Sequence, residues 1–294
     1  MTGLTNYSAD NALNYLTGQI AMPALPAVFL ALFLAVGTDA NTGFTEVSTS
    51  GTAYARVQVA GTLVTNAATA TSSPTIGAAS VPAWIVAGMA VYDVTTGAPV
   101  GTVASTTSTT VTLTANAANA VASGNTLSFS AFGNGSGTAP SSVTNGAVIS
   151  FAQATGTGFG TVIAWGLYDA STSGNLLWWD FLGNNPWLPF EMASGGNTAT
   201  VKANGYASND PIVFTAEYGG TLPTLSTGTM TGYTVNYVSS PATDTIGVDT
   251  TAGPTTPVVT TSSGSGMVRK ITQQVISANV TATFAASAFT LMLA

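Results

Sequence analysis

Asp169 and Asp180 lie in one aromatic stretch, WGLYDASTSGNLLWWDF, which runs from Trp165 to Phe181. Paired carboxylates beside indoles are the residue types of glycoside hydrolysis, in which one acid is held protonated and the other ionised. That chemistry also needs a cleft and neighbouring groups that tune the acids. No His or Arg stands close to the pair in sequence. Asp169 has a second use. In YDASTSGN its carboxylate can accept backbone N–H groups, as in an Asx turn, with Gly174 and Asn175 supplying left-handed backbone. The stretch reads as two core strands and their turn, and no catalytic residue is assigned.

Trp165, Trp178, Trp179 and Trp187 are also residues that stack on sugar rings. Adjacent residues of a strand point to opposite faces, so one of Trp178 and Trp179 is expected to enter the core and the other to face outward. On a chain poor in charge, an outward Trp marks a protein contact more readily than a sugar platform. The segment NNPWLPFEM sets Trp187 and Phe190 beside Pro186 and Pro189, as an extended arm that can lie on a neighbouring subunit. Arg56, in YARVQV, stands among aromatic and β-branched neighbours and is a candidate for an intersubunit ion pair. Arg56, Trp178, Trp179, Trp187 and Phe190 are therefore the candidate assembly contacts.

Other chemistry finds little support. Asp93, Asp244 and Asp249 are oxygen donors, but none lies in a D-x-D-x-D-G loop, and calcium needs six or more oxygens. GNGSG and SSGSGM have glycines but no Lys and no strand-to-helix setting, so they are not phosphate loops. Arg269 and Lys270 follow a linker and are read as solvated, with pairing to an acidic partner surface as the alternative. The sequence has no Cys and no His, which removes disulfides, thiolate chemistry, the commonest general base and most zinc sites. No metal or cofactor is assigned.

The elements that position these residues are written in an unusual composition. Only 5% of the 294 residues are charged, against about 25% in an ordinary globular domain. Hydrophobic residues make up 46%, so the chain is not of the disordered type. It reads as Thr- and Val-rich β structure whose surface is solvated by hydroxyls. With 4 basic and 11 acidic residues, the formal charge is −7. Four cations cannot track a phosphate backbone, which argues against nucleic acid. Weak self-repulsion favours a place within an assembly. The start of the chain has no basic segment of the signal-peptide kind. The most apolar run, AVFLALFLAV from Ala27 to Val36, is about half the ~20 residues of a spanning helix and reads as a buried strand, with no membrane role.

SADNALNYLTGQ predicts one short helix, capped by Ser8 or Asp10, with an apolar stripe of Ala12, Leu13, Tyr15 and Leu16, ended by Gly18. YARVQV alternates as a half-buried strand. FTLMLA, at the C-terminus, is apolar enough for a central, covered strand. Residues 66–132 and 204–266 change texture to short strands between Gly, Pro and Asn turns. The organisation expected is one discontinuous core of 1–65, 133–203 and 267–294, with two small β modules inserted at 66–132 and 204–266. Insertions at loop tips cost little chain entropy. Three consecutive domains are disfavoured, because the residues after the second module are too few for a core.

The core segments LTNYSADNALNYLTGQ, PAVFLALFLA, YARVQV, FGTVIAWGLYDASTSGNLLWWDFL and FTLMLA resemble a family of small tailed-phage virion proteins labelled tail-fibre-like. They are similar in kind to the β-sandwich cement proteins that decorate capsids. The modules resemble β repeats of phage fibres and bacterial surface proteins. The resemblance implies an all-β fold, a discontinuous jelly-roll-like β-sandwich with one N-terminal helix and two inserted modules. It implies a structural, non-enzymatic role on the virion: a capsid decoration or cement protein bridging major capsid subunits. Its partners would be the major capsid protein and copies of itself, a trimer at local three-fold axes being one arrangement. The alternative is a tail or head fibre-like protein whose modules bind a host receptor or surface glycan.

Overall fold

The computed structural model describes residues 3–20, 27–133, 141–216, 220–228, 230–253 and 256–293. The fold is all-β apart from one helix, α1 (Asn6–Leu16). The first strands are β1 (Gly3–Leu4), β2 (Val28–Ala35), β3 (Thr45–Glu46), β4 (Val57–Val64), β5 (Thr75–Gly77), β6 (Ala90–Asp93), β7 (Ala98–Thr106), β8 (Thr110–Leu113) and β9 (Thr126–Ser130). Then come β10 (Ser141–Thr144), β11 (Ile149–Gln153), β12 (Gly160–Val162), β13 (Ala164–Tyr168) and β14 (Leu176–Phe181). The last are β15 (Leu188–Met192), β16 (Thr198–Thr200), β17 (Pro211–Thr215), β18 (Asn236–Ser239), β19 (Thr245–Asp249), β20 (Gly264–Lys270), β21 (Gln274–Ile276), β22 (Thr281–Phe284) and β23 (Thr290–Leu293).

An 11-stranded sheet in the order β1-β14-β13-β2-β4-β9-β6-β7-β8-β5, with β3 beside β2, forms the backbone of the molecule. Its middle strands are buried on both sides. In β2 and β13, Leu30, Leu32, Trp165 and Leu167 face one core, while Ala31, Phe33, Ala164 and Tyr168 face another. That two-sided burial is why VFLALFLA and AWGLY read as continuous apolar runs instead of alternating. Each fully buried Leu or Phe contributes about 1.5–3 kcal/mol relative to exposure.

The first core lies under an antiparallel ribbon. β10, β11 and β12 pair in turn with β23, β22 and β21, so residues 141–162 and 274–293 run as one interrupted two-stranded strip. Its Ile149, Phe151, Val162, Ile276 and Phe289 close over the sheet as in a sandwich. Among the described residues β23 pairs only with β10, and Met292 is 53% exposed, so residues 289–293 form a ribbon strand and not a central one. Its apolar content is used by Phe289, which packs on Trp165 with ring centroids 4.7 Å apart.

The second core is closed by a six-stranded barrel, β15-β16-β19-β18-β17-β20. Alternation along β17 divides its side chains: Ile212 and Phe214 fill the barrel, and Val213 points out to the sheet. The barrel spans residues 188–270, and so draws strands from both sides of positions 204 and 266. Likewise β4 pairs with β2 through Val57 and Ala60 and with β9 through Ala60 to Val64, which joins residues 66–132 to the same sheet. Composition shifts where hydroxyl-rich turns begin, whereas pairing follows the strands through them.

Candidate assembly surface

The residues picked out as assembly contacts are engaged within the chain. Trp178 and Trp179 do point to opposite faces, but each face is covered, and they are 7% and 0% exposed. Trp178 joins the ribbon-side core. Trp179 packs edge-on against Tyr233 from the barrel side at 5.3 Å and donates its Nε1–H to Asp39 at 2.9 Å. The outward Trp expected from alternation is therefore absent, because the barrel supplies a second cover for the sheet. Trp187 is half-buried between Phe181 and Tyr233, and Phe190 lies inside the barrel against Phe214 at 4.8 Å. NNPWLPFEM is the entry to barrel strand β15 and not a free arm.

Arg56 makes an intrachain clamp. It gives two hydrogen bonds to Glu46, at 2.9 and 2.7 Å, and two more to the carbonyls of Ala170 and Ser173. Its guanidinium lies 3.4 Å over the Tyr168 ring. Burial opposes the Arg56 charge, but the Glu46 hydrogen bond and the charge interactions with Glu46, Tyr168 and Tyr54 together more than offset it, so its pKa is raised. Tyr54 donates to Glu46 at 2.9 Å and accepts from Leu32 N–H at 2.9 Å. Burial first, and then Glu46, push the Tyr54 phenol far above its ordinary value.

The carboxylates are engaged too. Asp169 accepts from the backbone N–H and the side-chain amide of Asn175 at 2.7 and 2.8 Å, the turn role expected of it. The left-handed residues of that turn are Ser173 and Gly174, one place earlier than expected. Asp180 sits at the far end of the hairpin, opposite Trp165, and pairs with Arg269 at 2.5 Å. Arg269 is 4% exposed, so the solvated reading is corrected: β20 carries it to the junction of barrel and sheet. Asp93 accepts from Thr95 N–H, Thr96 N–H and the Asn125 amide, Asp249 from Thr251, and Asp244 from Ala203 N–H. That backbone bond, then Lys202, lowers the Asp244 pKa. Among the described residues no cluster of three His, Cys, Asp or Glu could hold a metal.

All four cations are thus ion-paired inside the chain: Arg56 with Glu46, Lys202 with Asp244, Arg269 with Asp180 and Lys270 with Asp210. What the surface offers a partner is neutral or weakly acidic.

Exposed large apolar residues are most closely spaced along the chain at α1 and its flanks. Thr5, 1% exposed, starts α1: its hydroxyl donates to Leu176 O at 2.5 Å and accepts from Ser8 N–H at 3.4 Å. Thr5 is therefore the cap, in place of Ser8 or Asp10. It ties the helix to the β14 edge, next to the pairing of Leu4 with Trp178. Gly18, with φ of +74°, follows the last turn. Between them Ala9, Ala12, Leu13 and Leu16 fall at i, i+3, i+4 and i+7, one apolar stripe. No residue of α1 is buried. Leu13 is 60% and Leu16 76% exposed, and six of the fifteen exposed large apolar residues among those described lie between Leu4 and Ile20. An isolated helix this short is marginal in water, and helices in proteins are held mainly by packing of an apolar face. Ala12, Leu13 and Leu16 of the stripe were legible in the sequence, whereas Ala9, which takes the place expected for Tyr15, and the exposure of the stripe were not.

Two concavities are candidates for ligands. One, of about 410 Å³, lies beside Trp84 between β4 and β11. The other, of about 440 Å³, lies on the barrel near Glu191 and Lys202. No helix among the described residues is long and apolar enough to cross a membrane, which says nothing of β-barrels.

No family model, no curated protein and no solved structure matches this chain.

Proposed function

We propose that the chain is a structural protein of a tailed-bacteriophage virion, a capsid decoration protein that bridges major capsid subunits and performs no catalysis. The observation that carries this reading is the uncovered apolar stripe of α1 on a chain whose cations are all paired internally. Such a surface, whose most exposed cation Lys202 is already paired with Asp244, has little with which to grip phosphate or an acidic lattice. It gains by burying apolar area against a protein, and its low charge sets little repulsion between copies packed at high density. The resemblance of the core segments to small tailed-phage virion proteins points the same way. Bridging neighbouring subunits would oppose their separation under internal pressure.

The test is re-addition of purified chain to particles assembled without it, followed by cosedimentation. Saturable binding in proportion to capsid subunits supports the reading. Absence of binding to shells overturns it.

A second reading is a tail or head fibre-like protein that binds a host receptor or surface glycan. The uncharged concavity beside Trp84 favours it.

A further inference from the structure

Gly61 stands in the interior of β4, where a glycine weakens the strand and often marks a close approach by another group. A Cβ placed there would lie 2.5 Å from the Gln58 side-chain nitrogen and 3.0 and 3.1 Å from the Trp84 ring. The missing side chain leaves room beside the strand for both an amide and an indole. Both groups are held in place. Trp84 is followed by buried Ile85, and its segment is closed by turn hydrogen bonds from Ile85 N–H to Pro82 O (3.1 Å) and Met89 N–H to Val86 O (3.3 Å). Its ring meets Phe129 edge-on, 6.4 Å between centroids. The Gln58 amide nitrogen donates to Ala60 O at 3.2 Å, and its amide oxygen has no hydrogen bond among the described residues.

The pair opens into the concavity of about 410 Å³, where Val86 and Val148 are 37% and 49% exposed and Ser150 adds a hydroxyl. No ionised side chain lines it. A rigid aromatic surface beside an amide acceptor and a hydroxyl, without charge, is the complement of a pyranose, which has an apolar C–H face and a rim of hydroxyls. A charged ligand would lose its hydration here without gaining a counter-charge. A wholly apolar segment would cover the Gln58 oxygen and leave it without a donor.

We propose that this concavity binds a neutral pyranoside, stacked on Trp84 with a hydroxyl donating to Gln58. The site shares no residue with α1 and does not depend on where the chain sits in a particle.

Saturation-transfer difference NMR on the full chain tests it, with the methyl pyranosides of glucose, galactose, mannose and N-acetylglucosamine. Each is used at about 10 mM, which fills most of a site whose Kd is about 1 mM. The expected result is transfer to ring C–H protons of at least one glycoside, with binding about tenfold weaker in Trp84→Ala and in Gln58→Ala. Trp84 also covers Phe129, so Gln58→Ala, which removes only the amide, is the deciding variant if Trp84→Ala does not fold. Absence of transfer from all four glycosides overturns the proposal. So does transfer that Gln58→Ala leaves unchanged. Variants of the α1 stripe are expected to leave the signal intact, which separates this site from the decoration reading.

Discussion

Arg269 of the barrel strand β20 reaches Asp180 of the sheet strand β14 at 2.5 Å, and both are largely withdrawn from water. Arg269 also donates to Gly183 O at 2.8 Å, while Asp180 accepts from Phe181 N–H at 2.7 Å. This pair fixes the barrel to the sheet at the edge of the core formed by Phe33, Trp179, Phe181 and Val213. Breaking a buried pair from one side leaves an uncompensated charge, at a cost of about 3–5 kcal/mol. Arg269→Ala is therefore expected to lower stability by about that amount in chemical denaturation. A change below about 1 kcal/mol would mean that the barrel is held by apolar contact alone.

Arg56→Lys keeps the charge but loses the fork onto Glu46, the two carbonyl contacts and the stacking on Tyr168. The expected loss is about 1–3 kcal/mol, read from the denaturation midpoint. If Arg56 worked between subunits instead, the isolated chain would keep its stability.

Gly166 sits in β13 with Phe33 and Leu176 above it. A Cβ there would lie 2.6 Å from the Phe33 ring and 2.7 Å from a Leu176 methyl. Gly166→Ala is expected to cost about 1–3 kcal/mol by overpacking, measured as a fall in Tm.

Burial raises the pKa of Tyr54, Tyr168 and Tyr233, and takes Tyr206 to about 12. A phenol with a raised folded pKa holds its proton longer in the folded state. Its contribution is complete below the unfolded value of about 10 and is lost as pH rises through the folded one. Stability is expected to fall from about pH 10 upward, and full tyrosinate absorbance from the nine Tyr is expected only together with unfolding. Full tyrosinate absorbance reached before unfolding would contradict the buried placement of these four rings. On the acid side, Asp244 has a lowered pKa, so its small contribution is present at neutral pH and fades as pH falls.

Leu13→Asp and Leu16→Asp alter exposed positions of α1 and are expected to change chain stability by no more than about 0.5 kcal/mol. The same variants are expected to lose cosedimentation with shells. Retained binding would move the contact elsewhere.

The strands were legible where alternation or a continuous apolar run left one choice. VFLALFLA and LLWWDF became β2 and β14, and the helix at SADNALNYL formed one turn earlier than its expected cap. The role of Asp169 was legible because its partner, Asn175, lies within the same short turn. The fate of Trp178, Trp179, Trp187 and Arg269 was not, since it depends on the barrel covering a sheet face that a local pattern leaves open. Composition also located the hydroxyl-rich turns of residues 66–132 and 204–266, while strand pairing carried β4 and β15 across those limits. The approach of Trp84 to Gly61 was not legible, because it joins segments distant in sequence.

The central claim is that this chain decorates a capsid. It is tested most directly by a cryo-EM reconstruction of intact particles that locates the chain and counts its copies. Capsid decoration predicts density repeated over the whole icosahedral shell, with α1 turned toward a capsid subunit or a sister copy. Density confined to the tail or to a single vertex would contradict it.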